Sequence, residues 1–208
     1  YIYVAADIYR LPFVDRLFDA ATMIRALHHM ADAPKTLMQV RNVLQPSAVF
    51  ILEFANKLNL KAIFRYWMGK QTWNPFTLEP LEFVKLNFDF HPNAVRMWLN
   101  NLGFRVERTL TLSHFRVGFL KRVMPLNVLV FFDSLLQWTG ALWQLTPSVF
   151  VKARLKAQSF DVDIPADHLK FFKCPECGSA PLLANTDHLA CPTCSSKWGF
   201  KDGIYDFR

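Results

Sequence analysis

The sequence predicts an α/β fold followed by a small four-cysteine module, and three observations carry that prediction. Short, nearly continuous apolar runs alternate with stretches of helical periodicity, the pattern of a mostly parallel sheet covered on both faces. Proline and glycine punctuate these runs where strands and helices must stop. All four cysteines fall in the last quarter of the 208 residues, as two C-x-x-C pairs with 13 residues between them. A hydrophobic fraction of 52% and an aromatic fraction of 15% exclude a disordered chain.

Each element can be justified in order. Tyr1 to Ala6 (YIYVAA) reads as a buried strand that ends at Asp7. Asp19 to Arg25 (DAATMIR) is a second apolar run and closes on an Ala-Leu-His-His turn. Asp32 can cap the next helix, Pro34 is tolerated in its first turn, and Leu37, Val40 and Leu44 share one face. Pro46 stops that helix, and Ala48 to Ala55 (AVFILEFA) is a third strand, too uniformly apolar to be half exposed. Residues 56–91 loosen into an insertion rich in aromatic and cationic residues. Pro92 to Leu102 returns to helix, with Val95, Trp98, Leu99 and Leu102 on one side and Gly103 at its stop. Phe104 to Thr111 alternates like a strand near a sheet edge, and Ser148 to Arg154 gives a last strand.

Between those two strands a second insertion, 115–146, holds the most apolar stretch, Val123 to Leu145. Asp133, Gln137 and Gln144 fall close together on a helical wheel, which predicts one amphipathic helix with a single polar stripe. Such a helix serves as a lid or dimer contact, or lies on a membrane surface; a transmembrane span is not expected. A polar, proline-broken linker is expected over 158–170, so the domains read as 1–157 and 171–208.

Cys174, Cys177, Cys191 and Cys194 sit in C-P-E-C-G and C-P-T-C-S. Two knuckles of this kind close a tetrahedron of thiolates around zinc, with no open position for water or substrate, so a structural Zn2+ in a zinc ribbon is expected. A ribbon of this size cannot fold on its own apolar core, and metal binding supplies its stability. Paired thiols of this kind fit a reducing, cytoplasmic setting. The formal charge of +7 falls to about +5 once four thiolates and one zinc are counted. That balance suits anionic partners, yet no RNA-recognition motif or long Lys/Arg block is present, so RNA is an alternative partner that the sequence does not favour.

The run ADIYRLPFVDRLFDAATMIRALHHM, continued to Phe54, resembles the second half of a class I S-adenosylmethionine-dependent methyltransferase of the broad small-molecule type. Asp7, Leu11-Pro12-Phe13, Phe18-Asp19, Leu27-His28-His29 and Leu44-Gln45-Pro46 stand in the family's order and spacing. The resemblance reaches Arg154 and is densest up to Ala55. It implies the carboxyl-terminal part of a Rossmann-like, mostly parallel sheet with a closing antiparallel pair. The glycine-rich first loop and the ribose-binding acid are not in the chain. An N-terminally truncated domain, a fragment without measurable cofactor affinity on its own, is therefore expected. Ser47-Ala48 stands where the family usually has two glycines.

The resemblance also implies roles. Asp7 would accept a hydrogen bond from the adenine amino group of S-adenosylmethionine, with the Ile8 amide against the ring; the alternative is a turn carboxylate. Arg25 would lie beside the methionine part of the cofactor. His28 and His29 would act as general base or substrate clamp, or else cap the next helix or pack inside. Asp15 and Asp19 read as turn residues, and Glu53 ends its strand on the expected substrate side. The reaction implied is methyl transfer to a small-molecule acceptor. Its apolar or aromatic character is read from the phenylalanines and tryptophans of the insertion, among them Phe64, Trp67, Trp73 and Phe76. Two other readings stay open. One is an inactive methyltransferase-like protein that binds RNA or a protein partner through its ribbon, since the tail WGFKDGIYDFR resembles small zinc-ribbon partners of methyltransferases. The other is a membrane-associated lipid or quinone methyltransferase that uses 123–145 for peripheral contact.

Overall fold

A computed structural model describes residues 1–115, 118–157 and 165–208. In chain order the strands are β1 (Tyr3–Ala6), β2 (Phe18–Met23), β3 (Leu44–Ala55), β4 (Leu81–Val84), β5 (Asn87–Asp89), β6 (Phe104–Leu112), β7 (Ser148–Leu155), β8 (Leu183–Ala184), β9 (His188–Ala190), β10 (Lys197–Lys201) and β11 (Ile204–Phe207). The helices are α1 (Ala33–Val43), α2 (Leu60–Trp67), α3 (Pro92–Asn101), α4 (Gly118–Val123) and α5 (Leu126–Leu136). The chain is α/β, with mixed sheets. It divides into one unit of residues 1–20, 35–48 and 157–208, and a second of 21–34 and 49–156.

The first unit is built on a five-stranded sheet in the order β1-β11-β10-β9-β8. β1 runs parallel to β11, pairing Val4 with Tyr205 and Ala6 with Phe207. The expectation of a fully buried opening strand is corrected here: Tyr3 is exposed and the rest of β1 is half buried. The open edge of β11 offers the backbone groups that β1 needs, and Val4 and Ala6 pack on the core of Phe172, Leu182, Leu189, Trp198, Tyr205 and Phe207. Phe13 stacks on Phe172 at 5.8 Å, and the Lys173 amide donates to the Pro12 carbonyl at 2.8 Å. These contacts tie the Leu-Pro-Phe turn to the ribbon. The apolar face predicted for α1 is present in Leu37 and Val40, both buried; the helix ends at Val43, so Leu44, also buried, already begins β3, and Pro46 lies within that strand instead of stopping the helix.

The sheet order of the second unit is β2-β3-β7-β6. Val49 to Ala55 of β3 pairs antiparallel with β7, and β7 antiparallel with β6, the closing pair that was expected. β2 lies at the sheet edge and is mostly exposed, so its apolar composition does not mark a buried strand. β3 buries Phe50, Leu52, Glu53 and Phe54, and α3 buries Val95 and Leu99. The insertion 56–91 holds α2 and the β4–β5 hairpin.

The single helix expected over Val123 to Leu145 is broken. Pro125 separates α4 from α5, and a 3-10 turn follows over Gln137–Ala141. A proline has no amide to donate and cannot sit inside an α-helix without loss. Residues 116 and 117 of the second insertion, and 158–164 of the expected linker, lie outside the described residues. Among the described residues no helix is long and apolar enough to cross a membrane.

Candidate functional site

The first unit carries the cysteine cluster. The ligand atoms of Cys174, Cys177, Cys191 and Cys194 all lie within 4.8 Å of one another. The Cys174–Cys194 and Cys177–Cys191 sulfur pairs are 3.6 and 3.5 Å apart. Zinc–thiolate bonds of about 2.3 Å in a tetrahedron separate sulfurs by about 3.8 Å, so the four thiols fit zinc with little adjustment. The sequence builds this geometry twice. The Gly178 amide donates to the Cys174 carbonyl (2.8 Å) and the Ser195 amide to the Cys191 carbonyl (3.1 Å). Both residues are left-handed, at φ +76° and +61°. The predicted knuckles are thus present, and the second makes its turn with a serine where the first has glycine.

Asp7 and Ile8 also belong to this unit. Asp7 caps the 3-10 turn Ile8–Arg10, its Oδ1 accepting from the Tyr9 amide at 2.9 Å. Its Oδ2 has the Arg10 guanidinium at 3.7 Å, and the side chain is 42% exposed. The turn role and the adenine role therefore do not exclude each other: a carboxylate with lone pairs to spare can accept a further donor from solvent.

Arg25, His28, His29 and Glu53 come together in the second unit. Glu53 is buried at the end of β3. One oxygen accepts from the Arg25 amide (2.8 Å) and the other from the Ser148 hydroxyl (2.6 Å). Arg25 sits at φ +54°, so this carboxylate fixes a left-handed turn just ahead of the histidine pair. Glu53 acts here as a tether; with both oxygens engaged it is poorly placed for proton transfer. The two imidazoles lie 4.0 Å apart. His29 Nδ1 is 3.2 Å from the Leu86 carbonyl, a partner that only accepts, so the ring donates there. Burial, followed by the neighbouring His29, holds the His28 pKa below its ordinary value of 6.5, against the opposing pull of Glu53. His28 is therefore favoured in its neutral form, able to accept a proton.

A cavity of about 710 Å³ opens in the same unit, lined from α2 and from the segment after β6. Leu60, Phe64, Leu136, Trp143 and Leu145 supply apolar walls; Thr111 and His114 are among its polar groups, with Asn59, Lys61, Ser113, Thr139 and Thr146. This is the size and character of a small-molecule site. Asp133 fixes His114, accepting from its amide (2.8 Å) and from Nδ1 (2.9 Å). With Nδ1 carrying the proton, Nε2 is the accepting nitrogen, and it lies 3.2 Å from the Thr111 hydroxyl. Sequence reasoning missed His114 because it is a lone histidine in a loop. Its signal was Asp133, the single acid in 118–145, which was read only as part of a polar stripe.

Residues 1–52 match the family described as "Methyltransferase domain". The 2-phytyl-1,4-naphtoquinone methyltransferase of Trichormus variabilis is 40% identical over 67 residues, 31% of this chain and 29% of that protein. The protein of the same name from Nostoc punctiforme is 43% identical over 58 residues, 27% of this chain and 25% of that protein. The chain thus matches under a third of the length of these curated relatives. Among solved structures, a SAM-dependent methyltransferase from Methanosarcina mazei is 19% identical with a TM-score of 0.44, covering 73% of this chain and 66% of that one. Residues 1–52 thus match the methyltransferase-domain family, the stretch where the resemblance carried by the sequence motifs is densest.

Proposed function

We propose that this chain, whose residues 1–52 match the methyltransferase-domain family, takes part in methyl transfer from S-adenosylmethionine to an apolar, ring-bearing small molecule. The family match carries the reaction, and the apolar cavity with its His114–Asp133 pair carries the acceptor class. The relatives named for a phytyl naphthoquinone point to the same chemistry. S-adenosylmethionine supplies a methyl group on a sulfonium, which an acceptor nucleophile displaces as the C–S bond breaks. In this reading Asp7 and Ile8 hold the adenine and Arg25 lies beside the methionine part. Zinc in the four-cysteine site is structural.

The chain's own residues would do two things for the acceptor. The apolar walls orient it and exclude water, which is where most of the rate of a displacement comes from. His114, oriented by Asp133, takes the proton that the acceptor loses. His28, kept neutral by its surroundings, is the second candidate for that proton, with His29 as the clamp.

The test uses the full-length protein, methyl-labelled S-adenosylmethionine and reduced 2-phytyl-1,4-naphthoquinone. Label is expected in the solvent-extractable product. Loss of the base should lower kcat by a factor on the order of 100 with a smaller change in KM. That loss is expected in His114→Ala, with His28→Ala closer to wild type; the reverse ranking moves the base to the histidine pair. Absence of label in phytyl and short-chain naphthoquinols alike would rule out this acceptor class.

A further inference from the structure

The segment 118–145 is built inside out relative to a soluble amphipathic helix. Its polar residues Asp133, Gln137 and Gln144 are half buried, and the segment is held to the body of the unit at all three: Asp133 accepts from His114, and the carbonyls of Gln137 and Gln144 accept from the Thr111 hydroxyl and the Asn56 side-chain amide. Its large apolar side chains face solvent instead: Leu126, Val130, Phe131, Leu135, Trp138 and Leu142 are all more than half exposed, Leu142 at 77%. Beside it α2 exposes Phe64 and Trp67. The two segments adjoin, because the Leu60 amide donates to the Leu145 carbonyl at 2.8 Å and both line the apolar cavity. A surface that gathers this many exposed large apolar side chains has the character of an interaction site.

The charges around this surface indicate its occupant. From Phe54 to Leu78 there is no acidic residue, and Lys61, Arg65 and Lys70 are exposed. Arg122 is exposed on α4, and the one acid of 118–145 is turned inward. Exposed tryptophans, long apolar side chains and flanking cations with no exposed acid among them are complementary to a lipid surface bearing anionic headgroups. The helices are too short to span, so they lie in the interface.

We propose that α4, α5, the turn after them and the exposed face of α2 form a docking surface for an anionic lipid bilayer. The surface places the cavity next to the membrane, so that an apolar ligand can reach it without crossing water. The docking claim stands on this surface alone; the use of the cavity rests on the function proposed above.

Full-length protein is mixed with vesicles of phosphatidylcholine and phosphatidylglycerol, or of phosphatidylcholine alone, with no cofactor or acceptor. Co-sedimentation is expected with the mixed vesicles, weaker with the neutral ones, and the difference should shrink as salt rises. Replacing Leu126, Phe131 and Leu135 by Glu should weaken binding at least about tenfold. K61E with R65E should remove the preference for phosphatidylglycerol. In the unaltered protein, brominated acyl chains should quench tryptophan fluorescence, a readout that needs no variant. Protein left in the supernatant with both vesicle types and unquenched by brominated lipid would overturn the proposal. So would a stable dimer, dissociated by the triple variant, that shows no vesicle binding. Methyl transfer is not measured in any arm, so its failure and this one are separable.

Discussion

Lys57 is buried near the end of β3, and its ammonium has three partners: the carbonyls of Thr77 (3.0 Å) and Glu79 (2.6 Å) and the Thr77 hydroxyl (2.6 Å). A buried cation is tolerated only when its protons are all used, and here they clamp the loop ahead of β4. Lys57→Met keeps the stem and deletes the clamp. It should cost about 1 to 2 kcal/mol in urea unfolding and raise hydrogen exchange over 74–80. Asp89 behaves differently, since burial alone pushes its carboxyl from 3.8 to about 6. The folded state then holds a proton that the unfolded state releases. The associated stability is complete below pH 3.8 and lost as pH rises through 6. Asp89→Asn should therefore stabilise the protein by about 1 kcal/mol at pH 7 and give no gain at pH 3.5, measured by thermal melts across that range. His28 and His91 have the opposite sign. Both are held below 6.5, chiefly by burial, so the unfolded state binds protons first and stability falls as pH drops below 6.5. The left-handed Ser195 gives a third residue-scale test. A non-glycine residue costs about 1 kcal/mol there, so Ser195→Gly should raise the melting temperature, and Gly178→Ala at the equivalent turn should lower it.

At the scale of elements, the turn that follows α5 depends on a close approach. A Cβ on Gly140 would stand 2.8 Å from the Thr109 carbonyl oxygen and 2.9 Å from the Thr111 amide nitrogen, both backbone atoms of β6. The turn can press onto the strand only because that position has no side chain. The Thr111 hydroxyl, 3.3 Å from the Gln137 carbonyl and from the Thr139 hydroxyl, lies at the same contact. Gly140→Ala should cost about 2 kcal/mol, and it should widen the mouth of the cavity by lifting the turn. An environment-sensitive apolar dye in the cavity should show weaker binding in that variant, while the melting of the four-cysteine unit stays unchanged. The break at Pro125 was readable in the sequence, because proline is visible there. The inversion of the helix was not. A helical wheel reports that polar and apolar residues segregate, and it is silent on which side faces the body. Asp133 on His114, a pairing across 19 residues, fixes the orientation together with the Gln137–Thr111 and Gly140 contacts to β6.

At the scale of the whole chain, the legible features were those written locally. The four thiols and the helix faces of α1 and α3 follow from spacing and periodicity, and the antiparallel pair β6–β7 from the resemblance carried by the motifs. The partner of β1 is not a local property. An apolar hexapeptide specifies a strand, and which edge it joins depends on what edges exist; here that edge is β11, some 200 residues away. This pairing links the metal to the opening segment. The core of the first unit includes Cys174 and Cys191 among its buried members, beside Phe172, Trp198 and Tyr205, so the sulfur cluster is continuous with the apolar packing on which Val4 and Ala6 rest. Four thiolates without a cation repel one another at the centre of a small core, and the free energy of metal binding is then folding free energy for that unit. Chelation should therefore act at both ends of the chain. Hydrogen exchange should show the amides of 3–6 losing protection together with those of 204–207 when zinc is stripped, and Cys177→Ser should produce the same paired loss without a chelator. Because Asp7 directly follows β1, its turn should loosen in the same step. Protection of 3–6 that survives while 204–207 exchanges freely would separate the opening strand from the metal.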